Sequence, residues 1–184
     1  MKKVFLDTEF TRVGMNTSLI SVGMVSEENE LFYVELEDYD KAQITGWLQE
    51  NIMNLLTGDA VSSAVAARRI EEWLENIRGG RQIQLVSAGK LFDILLVSNL
   101  WAAVEEGSTL KTWRNRVPAC IDHRWHLDLD TAFALNGLDP NMDRVEFSGM
   151  KADGARHNAL FDAMVVKACW ERLFTEESKK GLTL

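Results

Sequence analysis

Hydrophobic and polar positions along the chain change their period several times. Val4, Phe5 and Leu6 open an apolar run near the N-terminus, and "SLISVGMVS" (Ser18 to Ser26) and "ELFYVEL" (Glu30 to Leu36) read as two further strands. The polar turn "SEENE" joins the last two, so the three predict an antiparallel meander. From Asp40 the spacing becomes helical, with Ile44, Trp47, Leu48, Ile52, Leu55 and Leu56 recurring on one face. A second helix is predicted from about Ser62 to Arg78, carrying Ile70, Trp73, Leu74 and Ile77 on one side. "RGG" (Arg78 to Gly80) stops it, since glycine suits the position after a helix end. "QIQLVSA" (Gln82 to Ala88) is the next strand, followed by a helix from about Leu91 to Glu105. The stretch from Gly107 to Asp130 has no clear period and holds loop, a short strand and the approach to a helix near Thr131 to Leu135. A final helix is predicted from about Asn158 to Phe174. Three early strands followed by alternating helices and strands predict an α/β fold: a mixed central sheet with three antiparallel strands first, flanked by helices, with residues 1–184 forming one domain.

Charged residues interrupt the apolar runs at a few places. In "VFLDTEF" (Val4 to Phe10), Asp7 and Glu9 are two apart and share one face of a strand. Like charges held that close raise each other's pKa unless something positive stands between them. The simpler alternative is that the strand ends at Asp7 and both acids are solvated. Asp93 lies in "LFDILLV" and Asp162 in "ALFDAMVV", again among residues that belong in a core. An unpaired buried carboxylate either takes up a proton or finds a cation. Each acid alone fits a helix cap or a structural ion pair; the set, with His157 beside it, points to a cation site.

His157 and Asp162 are five apart in "HNALFDA". On one helix that spacing rotates the side chains by about 500°, about 140° away from a common face. A better placement makes Asn158 the N-cap, with Asp162 in the early helix and His157 on the loop before it. That loop, "SGMKADGARH" (Ser148 to His157), contains Gly149 and Gly154 and is expected to be mobile. A histidine there can accept a proton as substrate binds.

Net charge is −8 and the sequence pI about 4.9, which argues against a general electrostatic grip on long duplexes. It leaves open a local basic groove or a site that takes phosphate through metal ions. The basic, aromatic segment "KTWRNR…DHRWH" is the local candidate for nucleic-acid contact: Lys111, Arg114, Arg116 and Arg124 supply charge, and Trp113 and Trp125 offer stacking faces. The alternative is a solvated loop whose tryptophans turn into the core. Cys120 and Cys169 form no paired metal motif and no disulfide framework, so a reducing cytoplasm is the default. Only three apolar residues separate Lys3 from Asp7, too few for a signal-peptide core, and no apolar run approaches a membrane span.

Asp7-Thr8-Glu9, then Asp93, then His157 with Asp162, resemble the motifs of the DEDDh exonucleases, which share a ribonuclease H-like fold and remove nucleotides from 3′ ends. "FLDTEFT" followed by "SLISVGMV" is most similar to a small exoribonuclease branch related to ribonuclease T and oligoribonuclease. The middle motif departs from the pattern: many relatives carry His-Asn where Ala88-Gly89 precede Phe92-Asp93, so Asp122, Asp128 and Asp130 stand as alternatives to Asp93. The resemblance implies two Mg²⁺ or Mn²⁺ ions, suited to hard oxygen ligands. Asp7 would bridge them, Glu9 and Asp162 would complete one site, and Asp93 would hold the other. His157 would take the proton from the attacking water, and nucleoside 5′-monophosphates would be released. Phe10 and Thr11 would support the terminal nucleotide, and Arg114 and Arg116 would hold the substrate. RNA is favoured over DNA, and a homodimer is expected. The competing readings are the same chemistry on DNA, a nucleic-acid-binding module with little catalysis, and a metal-dependent phosphatase.

Overall fold

The computed structural model describes residues 1–89, 92–103, 117–122, 124, 126–153 and 155–174. Its first strand, β1 (Lys2–Phe10), continues through the acidic motif instead of ending at Asp7, so the two acids belong to the sheet. β1 pairs antiparallel with β2 (Leu19–Ser26), and β2 antiparallel with β3 (Leu31–Leu36), which is the expected meander. β4 (Ala60–Val61) runs parallel to β3, β5 (Ile83–Ser87) parallel to β1, and β6 (Leu127–Asp128) parallel to β5. The order across the mixed sheet is β4-β3-β2-β1-β5-β6. β4 and β6 are two residues each, too short to leave a period in the sequence.

The helix expected from Asp40 is broken. Ile44 is extended, and Thr45 caps a short helix α1 (Gly46–Asn51) by accepting from the Leu48 N–H. Single 3₁₀ turns at Lys41–Gln43 and Met53–Leu55 flank it. Its apolar spacing is satisfied by a small separate cluster in which Leu48 and Ile52 pack on Ile20. α2 (Ser63–Ile77) and α3 (Phe92–Ala103) follow as expected. Then come α4 (Leu129–Leu135), α5 (Arg144–Ser148) and α6 (Ala159–Leu173). Among the described residues no helix is long and apolar enough to cross a membrane.

Strand alternation divides the core. Val4, Leu6, Val22 and Met24 face α2 and α3, meeting Ile70, Leu74, Val97 and Leu100. Phe5, Val25 and Val86 face the other way, onto α4 and α6, meeting Phe133, Val166 and Cys169. The same alternation sends Asp7 and Glu9 toward α6 and Thr8 toward α3. Gly23 is the cross-strand partner of Asp7. A Cβ there would stand 2.2 Å from the Ala159 carbonyl carbon and the Leu160 nitrogen. Glycine in a strand interior marks such a close backbone approach. It lets the first turn of α6 rest directly on the sheet beside Asp7, and the small, fully buried Ala159 and Ala163 keep the helix there.

Candidate active site

Asp162 stands in the first turn of α6, so the close approach at Gly23 brings it down onto β1. Asn158 caps the helix as expected, accepting from the N–H groups of Leu160 and Phe161 at 3.1 Å. His157 precedes the cap in a left-handed conformation, φ 67°. A non-glycine residue holds that conformation only where its surroundings impose it. Here its N–H donates to Asp162 Oδ2 at 3.0 Å, and its ring meets Trp47 in a T-shaped contact, with centroids 5.0 Å apart. One ligand atom each of Glu9, His157 and Asp162 lie within 4.8 Å of one another. Asp7 joins them in lining a cavity of about 540 Å³, on which Arg144 and Arg156 also open. The register of β1 against β2 shifts between Glu9 and Phe10, directly after the acidic motif.

The electrostatics are those of an acidic pocket that its neighbouring cations offset only in part. Burial, and then the charges of Asp93, Glu9 and Asp162, push Asp7 well above the usual carboxylate range. Burial, then Asp162 and Asp93, push Glu9 up to about 9. Burial raises Asp162 against the opposing hydrogen bond from the His157 N–H. Arg144 acts the other way on Asp7 and Asp162. Hard oxygen donors that converge and repel in this way fit a divalent cation of the Mg²⁺ or Mn²⁺ kind.

Asp93 reaches the motif from the opposite face. It is 4% exposed, and its Oδ1 accepts from both the Thr8 N–H, at 3.1 Å, and the Thr8 hydroxyl, at 2.6 Å. Burial raises it to about 6 in spite of those two bonds. Its charge is felt by Asp7 and Glu9, while its carboxylate is engaged by the residue between them. The three alternatives each make hydrogen bonds of their own. Asp122 accepts from Arg124, Asp128 caps α4 through Thr131, and Asp130 pairs with Arg144.

Phe10 is half-buried and stacks on Phe92, with centroids 6.1 Å apart. Thr11 is buried; its hydroxyl donates to Gln43 and accepts from the Ser18 N–H. Arg114 and Arg116, with Lys111, Trp113 and Trp125, lie outside the described residues. Arg124 is exposed. Before His157, the Ala155 N–H donates to the Ala152 carbonyl at 2.7 Å, and Arg156 pairs with Asp143 at 2.7 Å. Several residues at the site lie outside the sequence-based set: Gly23, Trp47, Asp143, Arg144 and Arg156. Only Gly23, a glycine inside an apolar strand, carried a readable signal.

The family model of the 3′-5′ exoribonuclease Rv2179c-like domain matches residues 2–174. The 3′-5′ exoribonuclease Rv2179c of Mycobacterium tuberculosis (strain ATCC 25618 / H37Rv) is 27% identical over 103 residues, a match covering 54% of this chain and 61% of that protein. The match thus spans under two thirds of that relative's length. Among solved structures, a 3′-exonuclease in specific 3′-end recognition of the histone mRNA stem-loop superposes with a TM-score of 0.69 at 13% identity, covering 94% of this chain and 63% of that one. S. pombe Pop2p, in its Mg²⁺- and Mn²⁺-bound form, superposes with a TM-score of 0.63 at 10% identity, covering 98% of this chain and 85% of that one. E. coli exonuclease I in complex with an oligonucleotide gives 0.63 at 11% identity, covering 98% and 42%. At these identities the likeness is one of fold, the ribonuclease H-like α/β fold of exonucleases.

Proposed function

The chain belongs to the family of Rv2179c-like 3′-5′ exoribonuclease domains, and from that premise we propose that it is a 3′-5′ exoribonuclease of the DEDDh type, releasing nucleoside 5′-monophosphates. The observation that carries this reading is the convergence of Glu9, His157 and Asp162 within 4.8 Å in a cavity that Asp7 also lines. Asp7, Glu9 and Asp162 would hold Mg²⁺ or Mn²⁺, and Asp93, whose carboxylate lies behind Thr8, would serve the second of two ions. Such ions supply electrostatic stabilisation of the charge that develops on the phosphoryl and leaving oxygens. The Pop2p neighbour, solved with Mg²⁺ and Mn²⁺, supports that choice of metal.

His157 takes the proton from the attacking water. Its backbone bond to Asp162 and its contact with Trp47 hold the ring at the cavity wall. The order and spacing of Asp7, Glu9, Asp93, His157 and Asp162 support the DEDDh assignment and the likeness to ribonuclease T and oligoribonuclease. The family name favours RNA. Phe10 supports the terminal nucleotide from the strand end, and Arg114 and Arg116 gather the backbone of the substrate, in a homodimer that doubles this basic patch. Matched 3′-labelled and 5′-labelled RNA and DNA oligomers, digested with Mn²⁺, test the reading. Stepwise shortening from the 3′ end with mononucleotide product, faster on RNA, is expected. Internal cuts, or release of inorganic phosphate alone, would sink it.

A further inference from the structure

Arg144 stands on the same cavity as the acidic cluster, and nothing in the sequence motifs accounts for it. It is the first residue of α5, a helix of only five residues that is nevertheless well anchored. Asp143 caps α5 by accepting from the Val145 and Glu146 N–H groups. Phe147 packs edge-on against Phe133, with centroids 5.0 Å apart, and the Cys169 thiol donates to the Arg144 carbonyl at 3.2 Å. The guanidinium is aimed by Asp130, whose Oδ1 accepts from Nη2 at 2.6 Å. That bond uses one of five donors. Nε is buried with no partner among the described residues. The charge of Arg144 reaches Asp7, Asp93 and Asp162. Arg156, the other arginine on the cavity, is more exposed, 51% against 35%, and its pairing with Asp143 ties down the histidine loop.

A fixed guanidinium with spare donors, across a cavity from carboxylates that collect cations, is complementary to a phosphoryl group whose oxygens face both walls. We propose that Arg144 is a catalytic residue that hydrogen-bonds the phosphoryl group of the 3′-terminal nucleotide, and that Asp130 is its positioning residue. The inference rests on the exonuclease reading for the identity of its substrate. Arg144 donates to non-bridging oxygens that the carboxylate wall cannot serve, and the interaction strengthens as charge builds on them. It also retains the 5′-monophosphate product, so it links turnover to product release.

The test is calorimetric binding of adenosine 5′-monophosphate, with adenosine as the phosphate-free control, in the presence of Mn²⁺. Wild type is compared with Arg144→Met, Arg144→Lys and Asp130→Asn, and RNA shortening is followed in parallel. Arg144→Met should weaken monophosphate binding about tenfold or more and lower kcat about 10²-fold, while adenosine affinity stays within about twofold and Mn²⁺ affinity does not fall. Arg144→Lys, which keeps charge but not the fork, should fall between. Asp130→Asn should lose a smaller factor, and millimolar guanidinium should restore part of the Arg144→Met rate. If Arg144→Met binds the monophosphate as wild type does, or wild type binds none at millimolar concentration, the inference is overturned and Arg144 is a counter-charge to the acids. Arg144-dependent binding by a wild type that leaves RNA intact would overturn the exonuclease reading and keep the phosphate site.

Discussion

The two walls of the cavity are built by different physics. One is β1 with the first turn of α6. It is made by close packing, with Gly23 under Ala159, and it holds acids that burial and mutual repulsion drive toward protonation. The other is α5 with the histidine loop. Its packing through Phe147 on Phe133 is supplemented at the cavity by ion pairs between partly exposed side chains, Asp130 with Arg144 and Asp143 with Arg156. Pairs of that kind contribute about 0–1 kcal/mol each, whereas a helix seated on a sheet by a backbone contact has no alternative position nearby. On the proposed reading the first wall would hold the metal, and the second would present the proton acceptor His157 and the guanidinium of Arg144. Substitutions in the first should cost the reaction or the fold, and those in the second should cost rate while leaving the fold standing.

The largest effect expected is at Asp7. Asp7→Asn should abolish mononucleotide release at saturating Mg²⁺ while the far-ultraviolet spectrum stays unchanged. Full activity of the purified variant would remove Asp7 from the mechanism. The same change should stabilise the metal-free protein, and the sign follows from the raised pKa values. In the unfolded chain these carboxyls ionise near pH 4. In the fold Glu9 holds its proton to about 9, and Asp7 is held well above its ordinary value. The folded state thus binds more protons than the unfolded one across that window, so stability falls as pH rises through it. Between pH 6.5 and 9, with a chelator present, Tm should drop for wild type and drop less for Asp7→Asn. This window lies above the range of His126, whose pKa burial lowers. Added Mn²⁺ should restore Tm by binding the native state. A Tm that climbs with pH under chelation would contradict the electrostatic account of this wall.

His157→Ala comes next. Loss of the proton acceptor should lower kcat by roughly 10²–10⁴-fold, with Mn²⁺ affinity less affected than by Asp162→Ala. The closeness of His157 to Glu9 and Asp162 makes the comparison informative. If metal affinity collapses in His157→Ala, the imidazole is a ligand and the role assigned to it is wrong. Gly23→Ala probes the packing beneath. Its Cβ would meet backbone, not a side chain that can turn away, so α6 must lift. The cost should reach or exceed the upper end of overpacking, about 3 kcal/mol, a fall in Tm of roughly 6–12 °C. Turnover should fall about 10²-fold as Asp162 leaves its place, since a shift of about 1 Å suffices for that. A Gly23→Ala protein with wild-type Tm would mean that α6 is not held by this contact.

The two walls also differ in how far they were legible. Asp7, Glu9, Asp93 and Asp162 stood out because ionisable side chains inside apolar runs are costly and seldom accidental. The N-cap at Asn158 and the C-terminal end of α2 follow from local rules that the structure repeats. Asp93 could be found but not oriented: alternation places Thr8 on the α3 face, yet nothing local says that the Thr8 hydroxyl meets Asp93 there. Arg144 and Asp143 were invisible, because a five-residue helix has too few turns to show a period. An aspartate beside an arginine in a polar stretch looks like any solvated surface. The broken helix after Asp40 failed for a related reason. Ile44, Leu48 and Ile52 keep helical spacing because they pack around Ile20, while Thr45 restarts the backbone between them.

The smallest effect expected isolates one fastener of the second wall. Asp143 does two things: Oδ1 caps α5, and Oδ2 holds Arg156 beside the histidine loop. Asp143→Asn keeps an acceptor for the cap and removes the charge, so it should leave Tm within about 2 °C, since exposed pairs contribute little. Asp143→Ala removes both, and loss of the cap should cost about 1 kcal/mol, or roughly 2–4 °C. If the Asp143–Arg156 tether positions His157, both variants should lower kcat by a similar factor of a few, despite their different Tm values. The drop should be absent in an Arg156→Ala background, where the tether is already gone. If kcat instead tracks Tm across the three variants, Asp143 acts only through α5, and the histidine loop is held by Asp162 and Trp47 alone.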